Sequence, residues 1–252
     1  MTGLRFVVLG SGTTVPTLDR GPAGFLVQLD GRSWLVDGGT GTLQRCLRAG
    51  VDPRTLDGGF YSHHHPDHCG DLVPLLFSMR VGPPPRDRDY PIVAGAGFGA
   101  FLDGLRGVYG KWIRPGRGEV ALRELSLDGP DGLDLDGLQV DSRPANHAAA
   151  ALHLRWSAGG RSVVFSGDTG PSEALAVLAA GADLLVCECG GDVEGHLGPA
   201  QVAAIVDAAR PAAVWLTHLY PDVDPAEAVS TVARTGVPTR LAADGDAFPF
   251  PR

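Results

Sequence analysis

Four of the eight histidines, His63, His64, His65 and His68, fall within six consecutive positions, in the run Ser62-His63-His64-His65-Pro66-Asp67-His68. Imidazole and carboxylate are donors that divalent transition metals prefer, and so dense a set between apolar segments cannot be buried without a partner. A solvated, accidental histidine run is the bland alternative, and the apolar flanks argue against it. Holding a divalent metal ion is therefore the chemistry these residues suit.

The elements that must position these groups follow from apolar runs and Gly/Pro/Asp punctuation. Strands are predicted at Leu4 to Leu9, Phe25 to Leu29, Ser33 to Val36 and Gly59 to Ser62, the last delivering the chain into the histidine cluster. A helix over Asp71 to Arg80, a strand over Pro91 to Ala94 and a helix over Phe98 to Val108 follow. The second half opens with strands at Leu122 to Leu127, Leu138 to Ser142, Ala150 to Trp156 and Ser162 to Ser166, the last two a hairpin through Gly159-Gly160. Helices over Ser172 to Ala180, Pro199 to Ala209 and Pro225 to Thr235 then alternate with strands over Asp183 to Cys187, Ala213 to Thr217 and Arg240 to Ala243. Pro199 and Pro225 suit the first turns of their helices. Strands gathered before helices, twice over, predict two stacked mixed sheets flanked by helices, a four-layer αββα sandwich. Residues 1–252 are expected to form one domain of two half-domains meeting near 120–125, since no linker divides them.

The His-x-His-x-Asp-His pattern of His63, His65, Asp67 and His68, followed in order by His147, Asp168 and His218, resembles the metallo-β-lactamase superfamily. That resemblance spans the chain and implies that His63, His65 and His147 bind one metal and that Asp67, His68 and His218 bind a second, with Asp168 bridging. The alternation of an extended chain also puts His63 and His65 on one side, with Asp67 and His68 past the Pro66 bend. The implied cofactor is two divalent ions, zinc first, with manganese or iron also accepted by these donors. Asp37-Gly38-Gly39 after Trp34-Leu35-Val36 matches the superfamily's strand-end Asp, whose carboxylate orients the metal loop; an ordinary turn aspartate is the alternative. His64 is expected to stand behind the ligands or in solvent, and His153 to be a core or surface histidine.

Gly10-Ser11-Gly12-Thr13-Thr14-Val15-Pro16 lacks the third glycine of a dinucleotide fingerprint, and Pro16 blocks the helix that would receive a pyrophosphate. The stretch is similar instead to the branch containing the tRNA 3′-processing endonuclease RNase Z, cyclic-nucleotide phosphodiesterases and some arylsulfatases. In that branch a histidine and an acid protonate the leaving group, and His196 and Glu188 stand at the matching positions; His196 as a simple helix cap is the alternative. The resemblance thus makes Asp67, His196 and Glu188 the catalytic residues, Asp67 while also binding metal. The chain departs from the branch's His-Glu-Ala-Thr segment by carrying Cys187 and Cys189 around Glu188, which puts the detailed relay in doubt.

RNase Z-like enzymes carry a long arm between the third-motif histidine and the bridging aspartate, whereas His147 and Asp168 lie only 21 positions apart. With 21 basic against 29 acidic residues and a net charge of −8, a broad grip on a polyanion is disfavoured. A small or short phosphodiester, attacked by a metal-bridging hydroxide, is therefore the expected substrate, and no stable nucleic-acid complex is expected. Arylsulfatase or lactonase chemistry, and RNase Z chemistry without the arm, are the enzyme alternatives. A non-catalytic metal-binding accessory protein would show eroded ligands, and none of the seven positions is eroded.

The 36 glycines and 20 prolines are dispersed, which fits a loop-rich fold better than disorder. The four cysteines include no CxxC pair, which excludes a zinc ribbon, and reduced thiols with no signal-peptide pattern make a cytoplasmic location the expectation. No apolar run is long enough for a membrane helix, so no membrane partner is expected. Members of the superfamily often dimerise, making a homodimer the further expected partner, although no seam for one is visible in this sequence. Specificity is expected to lie in loops such as Met79 to Tyr90, Gly107 to Gly118 and Tyr220 to Asp224, with Trp112, Arg114, Arg117 and Tyr220 as pocket or surface residues.

Overall fold

A computed structural model describes residues 3–148 and 150–250. Six strands of the first half, β1 (Arg5–Gly10), β2 (Gly24–Leu29), β3 (Arg32–Val36), β4 (Gly58–Tyr61), β5 (Tyr90–Gly95) and β6 (Val120–Leu125), lie side by side in chain order. The second half forms another sheet from β7 (Asp131–Leu135), β8 (Leu138–Pro144), β9 (Leu152–Ala158), β10 (Arg161–Phe165), β11 (Leu184–Glu188), β12 (Val214–Thr217) and β13 (Thr239–Leu241). A final two-residue strand, β14 (Ala247–Phe248), crosses back to pair with β1 of the first sheet. Each seven-stranded sheet has antiparallel pairs at one end and parallel pairs at the other, and in both the switch falls beside a strand that feeds the donor cluster.

Strand periodicity explains the layering. Along β1, Phe6 and Val8 enter the core between the sheets, while Val7 and Leu9 face the helices on the outer side. Along β11, Leu184 and Val186 enter the inter-sheet core, whereas Leu185 and Cys187 pack under the other helix layer. A sheet buried on both faces reads as an unbroken apolar run, which is why these strands are visible in the sequence. The first sheet is covered by α1 (Thr42–Arg48), α2 (Pro66–Cys69), α3 (Leu72–Val81) and α4 (Phe98–Tyr109), and the second by α5 (Glu173–Leu178), α6 (Pro199–Ala209) and α7 (Pro225–Ala233). The result is the expected αββα sandwich. Pro199 and Pro225 open α6 and α7 as expected, and Asp224 caps α7 by accepting from Ala226 N at 2.8 Å and Glu227 N at 3.3 Å.

The differences from expectation lie in short or polar elements. The seven-residue α1 buries only Thr42 and Cys46, and β7 (DGLDL) buries none of its residues, so neither carries an apolar rhythm. The two-residue β14 is defined by pairing alone. The first sheet ends with β6 at Leu125 and the second begins at Asp131, a few residues beyond the expected junction.

Candidate active site

The C-terminal ends of β3, β4, β10, β11 and β12, with the turn after β8, meet at one edge of the sandwich, and each delivers a donor or a group that orients one. After β4 the chain turns at Ser62 and enters α2 at Pro66, which places His63 and His65 before the turn and Asp67 and His68 on it. Asp37 follows β3 with φ 51°, and its carboxylate accepts from Ser62 N at 2.7 Å, Ser62 Oγ at 2.8 Å and His68 Nδ1 at 2.8 Å. Backbone bonds from Gly38 N to His68 O (2.6 Å) and from Asp71 N to Gly38 O (2.8 Å) fasten the two segments together. Gly39 is required by close approach: a Cβ there would lie 2.2 Å from Asp67 O. Asp37 therefore orients the histidine loop, as its position suggested.

The imidazoles are aimed by what holds their far nitrogens. His68 donates from Nδ1 to Asp37, His147 donates from Nδ1 to Gly195 O at 2.9 Å, and His63 Nδ1 lies 3.1 Å from Ser62 Oγ, whose own proton goes to Asp37. The opposite nitrogens then present lone pairs to the centre, an arrangement typical of metal-binding histidines. Gly195 can approach this closely because it has φ 80° and no Cβ, which would stand 3.0 Å from His147 Nδ1.

At the centre, Asp168 Oδ2 has His68 Nε2 at 3.3 Å, His218 Nε2 at 3.5 Å, and His63 and His147 Nε2 at 3.9 Å. Donor atoms of His63, His65, His147 and Asp168 converge within 4.8 Å of one another, as do those of Asp67, His68 and His218. The first two groups contain the residues expected for the two metals, and Asp168, His196 and His218 form a third such group, so His196 too has a nitrogen within reach of the cluster. His63 Nε2 and His68 Nε2 are buried without a hydrogen-bond partner, so five imidazoles and two carboxylates around orphaned nitrogens fit a pair of divalent cations. Burial holds His63 and His65 below the ordinary histidine range, with neighbouring imidazoles adding to the effect, and keeps them neutral as ligands must be. Burial raises the Asp67 carboxyl, but the contact with His218 and the proximity of the His68 imidazole outweigh it and hold Asp67 below its usual range.

Beside this cluster, Glu188 is fully buried and accepts from Thr169 N (2.8 Å), Gly190 N (2.9 Å) and Leu197 N (3.3 Å), with His196 Nδ1 at 3.1 Å. Burial lowers His196, but the Glu188 hydrogen bond and charge outweigh it and raise its pKa. The His196 ring lies 5.1 Å from His147 and 5.5 Å from His218, on the edge of the donor cluster. Cys187 and Cys189 point away into the core under the helices, where burial pushes their thiols up, Cys189 to about 12. The cysteine in place of the branch's histidine thus leaves the Glu188 and His196 contact intact.

Other residues fall elsewhere. His64 stacks on Phe101 at 5.4 Å, outside the donor groups. His153 is fully buried, donating from Nδ1 to Ser166 O at 2.6 Å and accepting from Ser172 Oγ at 2.9 Å. Trp112 packs edge-on against Phe77, Arg114 pairs with Glu119, and Arg117 borders a cleft with Pro83 to Pro85; none of these joins the donor cluster. Tyr220 does reach the site, its ring 5.4 Å from His196 and 5.8 Å from His218. Ser62 and Gly195 are the contributors that the sequence did not single out, because a serine beside a ligand and a backbone carbonyl of a distant glycine carry no spacing signal.

Residues 32–219 match the family model described as the beta-lactamase superfamily domain, and the chain belongs to that superfamily as a metal-dependent hydrolase. Among its relatives, Ribonuclease Z of Mycolicibacterium paratuberculosis is 34% identical over 195 residues, covering 73% of this chain and 69% of that protein. Among solved structures, the metallo-beta-lactamase fold protein YhfI from Bacillus subtilis superposes with a TM-score of 0.84 at 21% identity, over 98% of this chain and 99% of that one. The short form of human tRNase Z superposes at 0.79 with 19% identity, over 98% and 100%. At these identities the two structures speak to the fold alone.

Proposed function

We propose that the protein is a phosphodiesterase acting on a small or short phosphodiester, with two divalent ions held by His63, His65 and His147, by Asp67, His68 and His218, and by Asp168 between them. Such a pair supplies Lewis acidity and a lowered water pKa. Asp37, Ser62 and Gly195 fix the imidazole planes, and Asp168 sets the spacing of the two groups. His196, charged through Glu188, delivers a proton from its outward nitrogen to the departing alkoxide.

The observation that carries the small-substrate reading is the hairpin of β9 and β10. It pairs in register from Leu154 with Phe165 to Ala158 with Arg161, so most of the stretch between His147 and Asp168 is folded into the sheet. Among the described residues, no arm projects there to hold a large polyanion. The relatives' name favours a second reading, cleavage of a precursor RNA, which shares the same bond and the same proton donor.

Purified protein loaded with zinc or manganese is to be assayed on bis(4-nitrophenyl) phosphate, cyclic and linear dinucleotides, an aryl sulfate, a lactone and a precursor tRNA. The expected result is the highest kcat/KM on a small diester, abolished by His68→Ala and by His147→Ala. Preference for the sulfate, the lactone or the tRNA overturns the reading, as does full diester hydrolysis by either variant.

A further inference from the structure

Two residues after His218, which has φ 56°, Tyr220 lies with its ring against the donor cluster, 5.4 Å from His196 and 5.8 Å from His218. The Tyr220 ring stands edge-on to His218 at 87° and to His196 at 74°, touching one member of each half of the machinery. It is half-buried, and its phenol lies within electrostatic reach of Asp168, Asp67 and Glu188. No group among the described residues forms a hydrogen bond with its hydroxyl, although Tyr220 O accepts from Val223 N at 3.0 Å. The segment is pinned at its far end, where Asp224 caps α7, and at Val223, whose Cγ2 lies so near Gly191 that a Cβ there would be 2.7 Å away. Tyr220 is therefore a half-buried ring held beside the donor cluster, with no hydrogen-bond partner for its hydroxyl among the described residues.

We infer that Tyr220 is a catalytic residue whose hydroxyl donates a hydrogen bond to a non-bridging phosphoryl oxygen of the substrate, where negative charge accumulates during attack. A donor fixed in advance and aimed at developing charge lowers a barrier without reorganising. The phenol keeps its proton throughout, so the step changes no bond. The division of labour is definite: His196 serves the leaving oxygen, and Tyr220 serves an oxygen that stays on phosphorus. The inference rests on the phosphodiesterase reading for its substrate, but the phosphoryl recognition is testable without turnover.

The experiment compares wild type, Tyr220→Phe and Tyr220→Ala, each loaded with zinc and checked for metal content. Two readouts are taken: kcat and KM on aryl phosphodiesters of graded leaving-group pKa, and calorimetric binding of orthovanadate, a phosphoryl mimic. Tyr220→Phe is expected to lower kcat about 10- to 100-fold with KM little changed, to leave the leaving-group dependence unaltered, and to weaken vanadate about 10-fold. If wild type fails to turn over diesters while vanadate binding still depends on the hydroxyl, the phosphodiesterase reading falls and the inference stands. Turnover and vanadate binding within twofold of wild type in Tyr220→Phe overturn the inference, as does a loss explained by metal content. A steeper leaving-group dependence in that variant also overturns it, by moving the hydroxyl to the leaving oxygen. Tyr220→Ala is expected to be no better than Tyr220→Phe; a loss confined to Tyr220→Ala would leave only the ring with a role and overturn the assignment.

Discussion

The Asp37 carboxylate accepts the Nδ1 proton of His68 at 2.8 Å with both side chains fully buried, so one carboxylate from β3 fixes a donor histidine that follows β4. The same carboxylate takes both protons offered by Ser62, leaving Asp37 with three charge-assisted bonds and no freedom. Asp37→Asn keeps the shape but replaces one acceptor with a donor, which faces a donor in every arrangement. Zinc affinity is expected to fall about 10- to 100-fold, read by competition with a chromophoric chelator. An affinity equal to wild type would show that the carboxylate merely closes a turn.

Metal removal should also be visible in stability, because the donors are buried and mutually repulsive or orphaned without a cation. Ions that bind only the folded state stabilise by mass action, by about 4 kcal/mol when free metal exceeds the dissociation constant a thousandfold. For a chain of this size, chelation is then expected to lower the melting temperature by roughly 10 °C, recoverable on adding zinc. His63→Ala should lose most of that response, and a chelation shift of similar size in the variant would place the stabilising metal elsewhere.

The His63, His65, Asp67 and His68 cluster was legible because its dense spacing at a strand end suits a metal, whereas His147, Asp168 and His218 were picked out only by resemblance to the superfamily's order of motifs. The structure adds the convergence itself, with Asp168 Oδ2 within 3.9 Å of four imidazole nitrogens. The strands were legible because burial on both faces imposes apolar runs. What escaped was set by tertiary contact. Gly195 matters through its carbonyl, which any residue possesses, and α1 and β7 bury too little to leave a pattern. Tyr220 could not be told from a surface tyrosine until the fold brought its ring against His196 and His218.

The contact between Glu188 and His196 predicts a displaced pH profile. His196 serves as an acid only while protonated, and Glu188 raises its pKa against the opposing effect of burial. Activity that needs the protonated ring is present below that pKa and lost above it. Glu188→Gln removes the charge, so the alkaline limb of kcat is expected to move to lower pH. The loss should be greater for diesters with poor leaving groups than for nitrophenyl esters. A limb that stays in place, with kcat lowered uniformly, would instead mean that Glu188 acts by ordering Thr169, Gly190 and Leu197.

His153 gives a pH dependence of stability separate from the chemistry. Burial lowers its pKa to about 4, with only the bond to Ser166 O opposing. The neutral ring uses both nitrogens, donating to Ser166 O and accepting from Ser172 Oγ, which in turn accepts from Leu175 N as the cap of α5. Protonation would leave Nε2 with a proton where it now accepts one. In the unfolded chain the ring titrates near 6.5, so between 6.5 and about 4 the unfolded state binds the extra proton and the folded state does not. The contribution of His153 is therefore complete above pH 6.5 and is lost as pH falls toward 4. From pH 7.5 to 4.5 the loss amounts to about 2–3 kcal/mol. His153→Gln can still donate to Ser166 O but does not titrate. The stability advantage of wild type over this variant, from urea unfolding at fixed zinc, is expected to shrink by that amount across the interval. Acid release of metal is common to both chains and cancels in the difference, so a constant difference would assign the acid sensitivity to the donor cluster instead.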